Sequence, residues 1–197
     1  MFIVIVIGSV VIVAQTPVNG TWTADIRTGK HDDGDWNGNS YNYSDLQGLT
    51  REQAQNGKVN FRLVREAGTI ECEGTFTNGL GSGTFTFTPD AGFIGAMKTR
   101  GFDFERSSSK HDNDPEERLF AAATLNVTTA LANDLNSANF GKLDVEDLFK
   151  AAIFKIDSKF MSEMKATGFP ISRWRTSLRL VSSRSTPTTS VRCMRWV

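Results

Sequence analysis

The sequence predicts an α+β protein: a small antiparallel β domain (sheet, sandwich or barrel) followed by short α-helical hairpin repeats. Two patterns predict it. Between residues 20 and 104, apolar and polar residues alternate with the period of two that marks half-buried strands. From residue 114 onward the apolar spacing is helical, and the pattern recurs 29 residues later. The composition agrees, since 39% hydrophobic and 22% charged residues suit a globular chain. No apolar run approaches the roughly 18 residues that a membrane span needs.

The chain opens on an apolar run, Phe2 to Val13, that ends in Ile12-Val13-Ala14. Length and position read as an export signal over residues 1–14, with cleavage after Ala14 and a mature start at Gln15-Thr16-Pro17. The protein is therefore expected outside the cytoplasm, in the periplasm or beyond. Its two cysteines, Cys72 and Cys193, make no disulfide framework. Cys72 alternates with strand residues and reads as a small core hydrophobe.

The β domain is placed at residues 15–104. Trp22, Ala24 and Ile26 share one face of a first strand. Val59, Phe61 and Leu63 alternate with Asn60, Arg62 and Val64; Ile70, Cys72 and Phe76 form a third face, and Phe85 and Phe87 a fourth. Ala67-Gly68 is one turn signal, and the stretch Asn78 to Gly83 is read as another connection. Pro89-Asp90 closes the last strand. A short helix follows, with Phe93 and Met97 one turn apart and Gly101 as its cap.

Two polar stretches carry the residues with chemical potential. In the first, Asp33, Asp35 and Asn37, followed by Gly38, match the opening of a calcium loop: oxygen ligands at alternate positions, then a glycine for the sharp turn. The position that requires a bidentate Glu holds Ser44, with Asp45 one residue late, and the flanks read as strands. A solvated hairpin loop is the better reading, with calcium as the alternative cofactor and none as the first expectation. The second stretch, residues 105–113 and onward, is a linker running into Asp114-Pro115-Glu116-Glu117, a helix start with Asp at the N-cap, Pro at N1 and Glu at N3. His31 and His111 each neighbour an Asp, so a small hydrolase built on either is a third reading. The sequence contains no HExxH, GxSxG, Gly-rich phosphate loop or CxxC, and no catalytic residue is assigned.

Residues 114–170 hold two helical repeats. Leu119-Phe120 with Ala122-Ala123 returns as Leu148-Phe149 with Ala151-Ala152. At the same offset Val127 meets Ile156, Leu131 meets Phe160, Leu135 meets Met164 and Phe140 meets Phe169. Each unit reads as two short helices; in the second, Asp144 caps Val145 to Phe154 and Asp157 caps Ser158 to Thr167. The ending Met-Lys-x-x-Gly-Phe occurs at Met97 to Phe102 and again at Met164 to Phe169, so the helix behind the β domain reads as an early copy. A repeat cannot bury its face alone. The apolar residues of the last unit, Phe160, Met161, Met164 and Phe169, are therefore the candidate interaction surface.

Residues 171–197 break this pattern. They hold six Arg, ten Ser or Thr and no acid. Without those six Arg, 16 Lys and Arg face 22 Asp and Glu, so the body is acidic and repels nucleic acid. Back-translated and read one base earlier, the tail permits, among its possible codon choices, the solution LSVEDLAQARLFKIDADYVRQMHAVG. Against Leu143 to Gly168, which reads LDVEDLFKAAIFKIDSKFMSEMKATG, this agrees at 13 of 26 positions, ungapped and at the same offset of 29. The tail is expected to be a third repeat displaced by one base.

Three groups of residues carry a resemblance: Gly20-Thr21-Trp22-Thr23-Ala24; Val64 to Thr69 with Gly74-Thr75-Phe76 and Gly83 to Phe87; and Val145 to Leu148 with Ile156-Asp157 and Met164 to Phe169. Over residues 20–170 the chain resembles the extracytoplasmic C-terminal region of membrane zinc metallopeptidases of the β-lactam-sensor type, and similar stand-alone secreted proteins. The resemblance implies a sensing or protein-contact role outside the cytoplasm. It transfers no peptidase residue, because the HExxH half is not in this sequence. The expected function is an exported, non-enzymatic interaction module with a protein partner.

Overall fold

The computed structural model describes residues 17–26, 39–105, 114–137, 142–156, 158–166 and 190–196. The architecture is α+β: an antiparallel sheet with helices on its inner face. The strands are β1 (Val18–Asp25), β2 (Asn39–Asn42), β3 (Leu46–Gln47), β4 (Gly57–Arg65), β5 (Gly68–Thr77), β6 (Leu80–Pro89) and β7 (Ser190–Trp196). Their order is β2-β7-β1-β6-β5-β4-β3. The helices are α1 (Arg51–Gln55), α2 (Ala91–Lys98), α3 (Pro115–Thr124), α4 (Thr129–Ser137), α5 (Val145–Phe154) and α6 (Ser158–Ala166).

The sheet curls toward a barrel that stays open between β2 and β3, and chain length requires the curl. β2 and β3 stand at opposite ends of the strand order, yet only the 3-10 turn Tyr43–Asp45 joins them. Asn42 and Leu46 are four peptide units apart, about 15 Å at full stretch. Seven strands laid flat would hold the two edges about 29 Å apart. The facing ends of β2 and β3 must therefore lie within about 15 Å of each other, with the segment 39–47 bridging β7 on one side and β4 on the other.

Glycines make the curl possible. Trp22 of β1 pairs with Gly83 of β6, which pairs in turn with Gly74 of β5. The indole lies against Gly74, and its Nε1 donates to the carbonyls of Glu73 at 3.2 Å and Thr84 at 3.1 Å. Its ring meets Phe61 edge-on at 5.3 Å and Phe76 at 5.6 Å. A Cβ on Gly74 would sit 2.7 Å from the indole, and one on Gly83 would run into the backbone of Glu73.

The inward residues are those the alternation selects. Trp22, Ala24, Val59, Phe61, Leu63, Ile70, Cys72, Phe76, Phe85 and Phe87 are all buried. The connection expected over Asn78 to Gly83 is shorter than that: only Asn78 and Gly79, with φ of 50° and 78°, make the turn, and Gly81 and Gly83 belong to β6. Here glycine serves close approach between strand and ring rather than a turn.

The helices close the barrel's open face. α3 packs on β1, β5 and β6, with Phe120 stacked on Phe85 at 4.9 Å and edge-on to Phe87 at 5.5 Å. Asp90, which the sequence reads only as the end of the last strand, also caps α2, accepting from Phe93 N at 3.0 Å, and Gly101 turns the chain at φ 90°. Asp114 stands at the N-cap of α3 with Pro115 at N1, but its carboxylate makes no cap bond, so the expected box with Glu117 does not form. Asp144 does form a box on α5, accepting from Asp147 N at 2.9 Å while Asp147 accepts from Asp144 N at 3.2 Å.

The repeat appears as matching geometry. α4 and α6 begin and end 29 residues apart. Asn126 and Lys155, the same distance apart, both take left-handed φ, of 54° and 51°. The bonds that lock these turns also match: Val127 N to Ala122 O and Ile156 N to Ala151 O, each 2.9 Å. One continuous hydrophobic core runs from Trp22 in the barrel to Ile156 in the second repeat.

Candidate functional site

A cleft of about 630 Å³ lies where the barrel's bridging segment meets the C-terminal ends of α3 and α5. Its polar wall is Asn42, Asp45, Arg65 and Lys155; its apolar wall includes Leu131 and Ile153. Each part follows from the local fold. β3 pairs with β4 through Leu46 and Leu63, which brings Asp45, the residue before β3, to the end of β4 at Arg65. Asp45 Oδ2 accepts from Asn42 N at 3.3 Å, which fixes the turn, and its Oδ1 accepts from Arg65 Nη1 at 3.4 Å. The buried Tyr41 donates its hydroxyl to Thr124 O at 3.0 Å, tying the barrel to the end of α3.

The electrostatics of the cleft are donor-rich. The Arg65 side chain is only 14% exposed, its one ion pair is the long contact to Asp45, and its Nε meets no acceptor among the described residues. A charged donor left short inside protein is costly. The carbonyls of Ala121, Ala122, Ala123 and Thr124 at the end of α3 accept from Leu125 N, Val127 N, Asn126 N and Tyr41 Oη. Lys155 adds a second cation at the rim, held there by its left-handed backbone. On the other wall Ile153 is 54% exposed, although its counterpart one repeat earlier, Thr124, is 8% exposed.

Chemically, this arrangement can hold an acidic group beside an apolar one. The residues lining the cleft include no His, Cys or Ser. Cys72, inside the barrel, is inert toward electrophiles: burial pushes its thiol up to about 12. Tyr43, next to the cleft, also has its hydroxyl pKa raised, mainly by burial, although Arg51 sits over its ring at 5.5 Å.

The residues singled out in the sequence fall elsewhere. Asp33, Asp35, Asn37, His31 and His111 lie outside the described residues, as do the expected export signal and Phe169. Among the described residues no three His, Cys, Asp or Glu are grouped to hold a metal. No helix of the described residues is long and apolar enough to cross a membrane. Phe160 lies on α6, half-buried against the core, and Met161 and Met164 occupy positions on the same helix. Sequence reasoning missed the cleft because Arg65 and Lys155 are 90 residues apart and are joined only by the curl of the sheet. The one local signal was Lys155 itself, a non-glycine residue one step past a helix where the repeat requires a left-handed turn. Comparison with protein-family models, with curated proteins and with solved structures finds no match to this chain.

Proposed function

We propose that this chain is an exported, non-enzymatic interaction module whose cleft receives a segment of a protein partner. The observation that carries the reading is Arg65, a largely buried cation held by one long contact to Asp45, lining a cleft whose opposite wall exposes Ile153. A partner segment with an acidic side chain next to an aliphatic one supplies what each wall lacks. Its carboxylate pairs with Arg65 and with Lys155, both of which line the cleft, and its apolar side chain covers Ile153 and Leu131. An ion pair formed out of water is worth more than one at the surface, and a few such central residues carry most of an interface's energy.

The test is a peptide array of acidic–aliphatic segments read by fluorescence anisotropy. Binding is expected to weaken about tenfold or more with Arg65→Ala and with Ile153→Glu, each removing a central contact. If Arg65→Ala and Ile153→Glu bind every captured peptide as tightly as the parent chain does, the cleft is not the contact surface and the reading fails.

A further inference from the structure

The two repeats end in the same turn, but only one of the two ends is covered. Asn126 after α3 and Lys155 after α5 share the left-handed backbone and the same locking bonds. At that offset Thr124 corresponds to Ile153. The end of α3 is finished by the barrel: Tyr41, 4% exposed, donates its hydroxyl to Thr124 O at 3.0 Å, and Thr124 is 8% exposed. The carbonyls of Ala121, Ala122 and Ala123 take their bonds from the turn itself, so Thr124 O is the one that meets its donor from a distant part of the chain.

At the end of α5 the turn bonds are repeated. Lys155 N donates to Ala152 O at 3.3 Å and Ile156 N to Ala151 O at 2.9 Å. The carbonyl that answers to Thr124 O is that of Ile153. Among the described residues no side chain donates to it, and the Ile153 side chain is 54% exposed. Tyr41 and Thr124 line the same cleft as Ile153 and Lys155. The cleft thus holds one helix end that a tyrosine has finished and a second, built alike, that none has. Two exchanges mark the second end: Ile for Thr124 adds apolar surface, and Lys for Asn126 adds a cation.

Resting on the cleft's role as the contact for a partner segment, we propose that this segment presents a tyrosine to the end of α5 as the barrel presents Tyr41 to the end of α3. The partner's hydroxyl donates to Ile153 O, its ring lies on the Ile153 side chain, and an acidic neighbour in the segment pairs with Lys155. The chemistry selects the residue. Ser and Thr bring a donor without apolar cover, and Phe and Leu bring cover without a donor. Tyrosine brings both, and it is the residue seated on the corresponding carbonyl. The acceptor stands at the negative end of α5, which favours a donor there. Within the chain the same pairing already occurs, since Tyr41 is followed four residues later by Asp45, which accepts from Arg65 Nη1 at 3.4 Å.

That segment supplies the probe. A fluorescein-labelled nonapeptide with the sequence of residues 39–47, carrying Tyr43→Phe so that one phenol remains, is titrated with the full chain and followed by anisotropy. A second peptide also carries Tyr41→Phe. The first is expected to bind about fivefold more tightly than the second, the difference one hydrogen bond makes. Ile153→Glu in the chain is expected to weaken the first about tenfold or more. Equal binding of the two peptides overturns the proposal, as does binding of neither. The cleft itself is judged separately with the acidic–aliphatic peptides: if those still weaken with Arg65→Ala, the cleft stands without the tyrosine, and if they do not, both fall. Exchange of the probe with the chain's own segment 39–47 is read from Tyr41→Phe in the chain, which loosens that segment. Unchanged probe affinity is expected, and tighter binding overturns the proposal.

Discussion

At the residue scale, the interior of the barrel is set by what has been left out as much as by what is there. Trp22 lies over Gly74 because it carries no Cβ, Gly83 lets the Glu73 backbone approach, and the indole donates to the carbonyls of Glu73 and Thr84. Gly83→Ala forces a methyl into the Glu73 backbone, which cannot turn aside as a side chain does. The expected loss is about 2–3 kcal/mol, at the upper end of overpacking costs, measured by urea titration on Trp22 fluorescence. An unchanged midpoint would mean that the strands of β5 and β6 sit further apart than described. Cys72 tests the same interior by titration. Its thiol ordinarily ionises near 9.0 and burial raises that to about 12. The folded state therefore binds the proton more tightly than the unfolded one. This contribution to stability is whole below pH 9 and is lost as pH rises toward 12. Cys72→Ala is expected to flatten the fall in stability between pH 8.5 and 10.5, and Cys72 in the parent chain is expected to resist iodoacetamide until urea opens the barrel.

At the element scale, the two repeats end in the same turn built from different residues. Asn126 tolerates a left-handed backbone better than most residues, whereas Lys155 pays for it. Lys155→Gly is expected to stabilise the chain by about 1 kcal/mol, since glycine adopts that backbone freely, with thermal denaturation as the check. The same substitution removes the rim cation, so it separates the fold from the cleft: higher stability with weaker peptide binding. At the start of α5, Asp144→Ala breaks a complete capping box and is expected to cost about 1 kcal/mol, whereas Asp114→Ala on α3 is expected to cost less, because that cap makes no side-chain bond. Elements of this kind were largely legible in the sequence. β1, β4, β5 and β6 carry clean alternation because one face is buried and the other solvated, and the helices carry spacing and caps. Gly81 and Gly83 misled because a glycine under a ring, as Gly81 is under Phe76, or against a neighbouring backbone, as Gly83 is against Glu73, looks the same in one dimension as a glycine in a turn. The cleft was not legible for a different reason. Its polar wall is assembled by the curl of the sheet, which depends on the short bridge Tyr43–Asp45 and leaves no periodic trace.

At the scale of the whole molecule, barrel and repeats are mechanically one body. Phe120 of α3 stacks on Phe85 and meets Phe87 edge-on inside the sheet, and Phe149 of α5 meets Phe104, which in turn meets Phe93 of α2. Polar contacts cross the same boundary. Glu66, in the β4–β5 hairpin, accepts from Thr129 N at 2.8 Å at the start of α4, and Tyr41 donates to the last carbonyl of α3. A helix pair with so narrow a core has little stability of its own, and without α3 the barrel would present the rings of Phe85 and Phe87 to water. Unfolding is therefore expected to be a single transition, with Trp22 fluorescence, read in a chain whose Trp36, Trp174 and Trp196 are replaced by Phe, reporting the barrel and ellipticity at 222 nm reporting the helices, the two curves superimposing. Phe120→Ala probes the joint directly. It removes a half-buried ring from a stacked pair and is expected to lower stability by about 2–3 kcal/mol, somewhat below the cost for a fully buried Phe. Because the ring belongs to both regions at once, both signals must move to the same lower midpoint. If the helical signal melts early while Trp22 keeps its native emission, the repeats ride on the barrel without supporting it, and the shared core is a contact rather than a common fold.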